Sequence, residues 1–179
     1  MEIERTDFED LLIIKGTSLL DNRGKFLKLF NFDFFKDKNL NTAFKEFYYS
    51  ISKKDVIRGM HFQLPPLQHS KLVYVSHGKI LDVVIDLRKS SLTYNKYFSI
   101  ELNDANGDYL YIPEGFAHGF ISLENDTIVN YAQTSCYSKE HDSGILYNSF
   151  GFEWSIQNPI ISKRDLSFEK ITNFESPFL

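Results

Sequence analysis

The chain has a single cysteine, Cys136, which rules out an intrachain disulfide and agrees with a reducing compartment. Its surroundings, Thr134-Ser135-Cys136-Tyr137, carry no nucleophile signature, so a buried, inert thiol is expected. Positive charge is also scarce: 20 Lys and Arg against 24 Asp and Glu leave a formal net charge of −4. No basic stripe stands out, which argues against non-specific nucleic-acid binding. An anionic ligand would need a local cluster, for which Arg23, Arg58, Lys71 and Arg164 are candidates. Long hydrophobic runs are missing too. No stretch approaches the roughly 20 apolar residues of a membrane span, and Met1–Arg5 is charged, with no apolar signal core. These absences lead us to expect a soluble, cytoplasmic protein without membrane contacts. Internal repeats, low-complexity tracts and linkers are absent as well, so residues 1–179 are expected to form one domain.

What the chain does have is aromatic: 17 Phe and 10 Tyr, residue types that favour pleated surfaces and sandwich cores. Strands are expected at Leu72–Val75, Ile80–Leu87, Tyr97–Leu102, Tyr109–Ile112, Gly119–Leu123 and Thr127–Thr134. Turn signals separate them. His77-Gly78 reads as a two-residue hairpin turn, and Asn103–Asp108 and Glu124–Asp126 as longer ones. Within the second strand Leu81, Val83, Ile85 and Leu87 alternate with Asp82, Val84 and Asp86, which predicts a polar or solvated face. Short strands at regular spacing indicate an all-β sandwich or barrel of jelly-roll type. Short helices are expected after Asp33 and after Ser162, each acting as an N-cap.

Four segments carry chemistry. Arg58-Gly59-Met60-His61-Phe62-Gln63 is followed by Lys71, ten residues beyond His61. Then come Ile112-Pro113-Glu114-Gly115-Phe116-Ala117-His118-Gly119-Phe120, Tyr131 with Tyr137, and Ile161-Ser162-Lys163-Arg164-Asp165. In this order and spacing they resemble the nucleotide-sugar 3,5-epimerases, the dTDP-4-dehydrorhamnose 3,5-epimerase family, from about Ile13 to Asp165. The resemblance implies a cupin-type jelly roll, homodimers formed by exchanging strands, and synthesis of a deoxy sugar for a surface glycan.

It also implies the reaction: epimerisation of a 4-keto-6-deoxy sugar carried on a nucleoside diphosphate. A proton must leave a carbon beside the carbonyl, and a neutral imidazole suits that task near pH 7. The carbonyl oxygen then gains negative charge, which a fixed cation stabilises. A tyrosine hydroxyl across the pocket can return a proton to the opposite face. His61 aligns with the family's base, Lys71 with the lysine facing the keto oxygen, and Tyr131 with the general acid. Asp165 aligns with the carboxylate that braces the base, a His–Asp arrangement that fixes one tautomer. The chemistry is redox-neutral, so neither cofactor nor metal is expected.

Binding residues follow from the same alignment. Arg23 and Arg58 suit a pyrophosphate, since guanidinium forks match its oxygens. Gln63 and His118 belong to the quoted motifs, Tyr137 matches an aromatic that stacks on the nucleobase, and Asp142 and Arg164 fall at further ligand contacts. Phe26 is either a base contact or core. The chain departs from the family on the nucleotide side. Lys28 stands where the family has Glu, Glu46-Phe47-Tyr48 replaces a Gln-Asp-Asn segment, His69 replaces a Gln, and Tyr147–Phe150 replaces Trp-Asn-Asp-Pro. Either these changes are drift in a thymidine enzyme or they mark another base, guanine or cytosine, with Glu46 accepting from its edge. A sugar larger than a hexose, such as a heptose, is also compatible.

Three other functions can be weighed. A metal-dependent cupin enzyme needs a His-x-His pair, whereas His61 precedes Phe62-Gln63 and His69, His77 and His118 are scattered. A non-catalytic sugar-binding module would explain the aromatic content but not His61, Lys71 and Tyr131 together. A nucleotide-sugar ketoisomerase shares the ligand class and differs in its product.

Overall fold

The computed structural model describes residues 1–179. The first half of the chain contains β1 (Glu2–Arg5), β2 (Leu12–Lys15), β3 (Thr17–Asp21), β4 (Gly24–Lys28), the helix α1 (Phe32–Asp37), β5 (Glu46–Ser52), β6 (Ile57–Gln63), β7 (Lys71–His77) and β8 (Lys79–Asp86). The second half adds β9 (Tyr97–Asn103), β10 (Asp108–Ile112), β11 (Phe116–Ser122), β12 (Thr127–Gln133), β13 (Asp142–Gly144) and a one-turn helix α2 (Lys163–Leu166). One sheet has the order β1-β2-β10-β7-β12-β5 and the other β13-β6-β11-β8-β9, all antiparallel. Two such sheets face to face make the jelly roll expected from the strand rhythm. The hairpin β3–β4 pairs with neither sheet. No helix is long and apolar enough to cross a membrane.

Every strand expected after Lys71 forms, with ends shifted by at most three residues. His77-Gly78 does not make a hairpin. β7 lies between β10 and β12, whereas β8 lies in the other sheet, so the chain crosses from one sheet to the other at Gly78. Glycine is required there: its φ is 78°, and a Cβ would come within 2.5 Å of Thr127 Oγ1.

The face of β8 that carries Asp82, Val84 and Asp86 is not solvated either. All three side chains are fully buried, because both faces of the five-stranded sheet are covered. Val84 joins Val73, Val75, Phe116, Phe120 and Val129 in the core between the sheets. Val83, Ile85 and Leu87 pack on the other side against Phe150, Trp154 and Phe178 of the C-terminal segment. Asp86 keeps its charge in this setting by bonding Arg88, Ser91 and Thr93.

α1 is capped by Asn31, whose side chain accepts the Phe34 N–H, while Asp33 sits in the first turn, where a carboxylate favours the helix dipole. Ser162 does cap α2, accepting the Asp165 N–H at 3.0 Å. Cys136 is exposed rather than buried, because it lies in the irregular segment after β12.

Candidate active site

At one end of the space between the sheets a cavity of about 430 Å³ opens to solvent. That volume is in the range of small-molecule sites. β6 and β11 supply His61, Gln63 and His118 from one wall; β5, β7 and β12 supply Glu46, Tyr48, Lys71 and Tyr131 from the other. Strand alternation explains the selection. Lys71, Val73 and Val75 point inward with Val129 and Tyr131, whereas Leu72 and Ala132 point outward.

His61 and His118 are cross-strand partners in the β6–β11 pair, so their side chains lie side by side. This pair is unusually close. At Gly119 a Cβ would come within 2.6 Å of Met60 Sδ and 2.7 Å of the Arg58 carbonyl, so only glycine fits.

His61 Nε2 lies 3.0 Å from Asp165 Oδ1. The other carboxylate oxygen accepts the Gly59 N–H at 3.2 Å. Asp165 is therefore held from two sides. Burial opposes its charge, but the bonds from His61 and Gly59 outweigh that and keep its carboxyl below the usual value. A carboxylate at Nε2 fixes the proton on that nitrogen, which leaves Nδ1 as the free lone pair. Burial lowers the His61 pKa from its ordinary 6.5, and the Asp165 interaction opposes the shift only in part, so the ring is neutral near pH 7.

Lys71 is buried and makes neither a hydrogen bond nor an ion pair within 4 Å. Burial pulls its pKa down to about 8, with Asp142 and Asp82 holding it from falling further. It is a cation waiting for an acceptor. Tyr131 contacts Ser50 Oγ at 3.2 Å and stacks on Tyr48 at 4.7 Å between ring centroids. Burial raises the pKa of the Tyr131 phenol, so it keeps its proton at neutral pH. Tyr48 is pushed up to about 12 for the same reason.

The remaining expected residues divide into three groups. Arg58, Tyr137, Asp142 and Arg164 line the cavity. Arg58 is anchored to Ser52 and to the Ile51 carbonyl. Arg164 bridges to Asp142 at 2.5 Å and approaches His61 Nε2 at 3.3 Å. Gln63 lines the cavity, but its amide is committed: it donates to the Leu67 carbonyl and accepts the Ser138 N–H, clamping the segments that carry His69 and Tyr137.

Arg23, Phe26, Lys28 and Phe47 do not line the cavity of their own chain. The first three belong to the exposed β3–β4 hairpin, where Arg23 pairs with Asp21. Phe47 is 71% exposed, because on β5 it alternates with the inward Glu46 and Tyr48.

Ser50, Phe62, His69, Phe120 and Gln133 complete the lining without having been singled out as binding residues. Asp82 stands behind them, 2.8 Å from His118 Nε2. Gln133 could have been found from its period-two spacing with Tyr131, and Asp82 only from the register of β8 against β11. No group of three or more His, Cys, Asp or Glu side chains is placed to hold a metal ion.

A family model described as dTDP-4-dehydrorhamnose 3,5-epimerase matches residues 5–173. The chain is 37% identical to the dTDP-4-dehydrorhamnose 3,5-epimerase of Shigella flexneri, covering 97% of each chain. It is 38% identical to that of Methanothermobacter thermautotrophicus, over 93% of this chain and 92% of the relative. Among solved structures, the enzyme of the same name from Sulfolobus tokodaii superposes with a TM-score of 0.92 at 39% identity, covering 99% of this chain and 98% of the other. The Bacillus anthracis enzyme, solved with TDP and pyrophosphate bound, also gives 0.92, at 34% identity, over 95% of this chain and 99% of that one.

Proposed function

Since the chain belongs to the dTDP-4-dehydrorhamnose 3,5-epimerase family and is a nucleotide-sugar epimerase, we propose that its substrate is a nucleoside-diphosphate 4-keto-6-deoxy sugar, hexose or heptose. Carbon 3, carbon 5 or both are inverted through an enolate. His61 Nδ1 takes the proton from the carbon beside the carbonyl, and the C–H electron pair moves to the carbonyl oxygen. Lys71 faces that oxygen and stabilises its charge. Tyr131 gives its proton to the other face of the carbon, and solvent resets both groups. Asp165 braces the imidazole and supports the imidazolium. The observation that carries this reading is the convergence on one cavity of a neutral imidazole backed by a carboxylate, an unpartnered ammonium and a phenol on the facing wall.

Arg58 and Arg164 are suited to the diphosphate, His118 to the sugar, and Tyr137 to the nucleobase. The protein works as a cytoplasmic homodimer, residues 1–179 of each subunit forming one domain, and supplies a deoxy sugar for a surface glycan. The β3–β4 hairpin supports the dimer. Leu19, Leu20 and Phe26 on it are exposed by 62%, 80% and 57%, and nothing in its own chain covers them. In the dimer this hairpin carries Arg23, Phe26 and Lys28 to the partner's cavity.

Glu46 favours a second reading of the nucleotide. Its Oε2 accepts the Tyr137 N–H and the Gln133 amide, whereas Oε1 bonds nothing. A free carboxylate oxygen beside Tyr137 would accept from the N1–H and amino group of guanine or the amino group of cytosine, whereas thymine offers only its single N3–H. The test is proton NMR in deuterium oxide with the 4-keto-6-deoxy sugar on dTDP, GDP and CDP. Loss of the carbon-3 or carbon-5 signals with new epimer peaks supports the reaction. Turnover confined to the dTDP sugar overturns the role of Glu46, and no exchange with any donor overturns the epimerase assignment of these residues.

A further inference from the structure

His69 lies two residues before Lys71 and is 92% buried, its relative exposure being 8%. Both line the cavity, and Ser70 between them does not, as expected of extended chain with alternating side chains. The hydrogen bonds around the His69 ring favour one tautomer. Ser135 Oγ donates its one proton to the Leu67 carbonyl at 2.8 Å. At 3.0 Å from His69 Nδ1 the same oxygen is then an acceptor, and the Gln63 amide, 3.3 Å from Nδ1, has the Leu67 and Cys136 carbonyls for its two hydrogens, so this arrangement places the ring hydrogen on Nδ1. Nε2 is left as a bare lone pair, and it has no partner in the structure.

A buried acceptor without a donor is uncommon and costs free energy wherever no ligand supplies one. Protonation does not relieve it. Burial depresses the His69 pKa to about 2, with the nearby Lys71 charge adding to the shift, so the ring stays a neutral acceptor. Lys71 is itself unbonded, so the cavity holds an acceptor and a cation side by side, both unsatisfied. A 4-keto sugar matches this pair: the carbonyl oxygen accepts, and the hydroxyl on the adjoining ring carbon donates.

Building on the substrate class given above, we propose that His69 is a specificity-determining residue whose Nε2 accepts a hydrogen bond from the carbon-3 hydroxyl, next to the carbonyl that Lys71 faces. The site then reads the sugar as well as the nucleotide, and it discriminates against 3-deoxy sugars by leaving Nε2 unpaired.

The test compares two substrates on the same nucleotide, the 4-keto-6-deoxy sugar and its 3-deoxy counterpart. Exchange of the protons at carbon 3 and carbon 5 in deuterium oxide is the readout, because both sugars carry hydrogen at these two positions beside the carbonyl. Wild-type protein is expected to favour the hydroxylated sugar in kcat/KM by roughly tenfold to a hundredfold. His69→Phe, which keeps the ring shape and removes the acceptor, should lose that factor on the hydroxylated sugar alone and bring the two within about threefold. His69→Gln restores an acceptor oxygen and should recover most of the preference, which also guards against a fold defect in the Phe variant. Equal losses on both sugars, or no wild-type preference, overturn the role of His69 while leaving the epimerase standing. No exchange on either sugar by wild-type protein would instead overturn the reaction on which the inference rests.

Discussion

His61 and Lys71 place opposite demands on pH. As the proposed base, His61 must be neutral, and burial has moved its pKa below 6.5, so activity should rise with pH through a value under 6.5. In its proposed role Lys71 must be charged, and its pKa near 8 means that activity should fall as pH rises through about 8. A bell-shaped kcat/KM profile with its alkaline limb near 8 is the expected result. The alkaline limb has an independent check. Asp142 is the first of the two carboxylates holding the Lys71 pKa up. Asp142→Asn should therefore move that limb to lower pH, and an unmoved limb would show that another group produces it. Two further substitutions separate the proton transfers. His61→Ala should cost roughly 10²–10⁴-fold in turnover, the usual contribution of a positioned base. Tyr131→Phe should slow net epimerisation more than deuterium exchange, because enolate formation survives without the acid. Parallel loss of both would move Tyr131 out of the proton-return step.

At the scale of elements, the site depends on how closely β6 and β11 run. Gly119→Ala forces a Cβ against Met60 Sδ and the Arg58 carbonyl, and the strands must part to admit it. Overpacking of this kind costs about 1–3 kcal/mol, which lowers the melting temperature by roughly 2–4 °C per kcal/mol in a chain of this size. Activity should fall further than stability explains, because the same shift separates His61 from His118. Calorimetry and kinetics on one preparation check both halves of this expectation. The strands themselves were legible wherever a turn signal flanked an alternating run, as at Tyr109–Ile112 or Thr127–Gln133. β5 and β6 were not. β5 carries aromatic residues on both faces, Phe47 and Tyr49 outward and Tyr48 inward, which hides its alternation. Nor could local sequence show that Gly78 joins two sheets. A positive φ serves a hairpin and a crossing equally well, and the difference lies in the remote partners of β7 and β8. The cavity repeats the pattern: the motif residues were readable and Gln133 follows from its two-residue spacing to Tyr131, whereas Asp82 came into the site through register alone.

The whole molecule carries a net charge of −4, yet its cavity gathers Arg58, Lys71 and Arg164 against only Glu46 and Asp142. Such a local positive field draws a nucleoside diphosphate to one place on an anionic surface. Arg23 and Lys28 would add to it, but within one chain they stay on a hairpin outside the cavity. At the outer edge of the six-stranded sheet, Phe47, Tyr49 and Ile51 are also exposed. An uncovered edge of this kind favours pairing with another chain. If the hairpin completes a partner's cavity, His61 and Arg23 of any one site come from different subunits. His61→Ala and Arg23→Ala should then each impair the homodimer and rescue one another. In a 1:1 mixture that is unfolded and refolded together, half of the dimers are mixed, and each mixed dimer holds one intact site. Activity should therefore recover to about a quarter of wild type, the yield of a two-fold assembly with shared sites. If both residues of a site come from the same chain, mixing rescues nothing, and activity stays at the mean of the two variants. Size-exclusion chromatography of the mixture separates that outcome from a simple failure to associate.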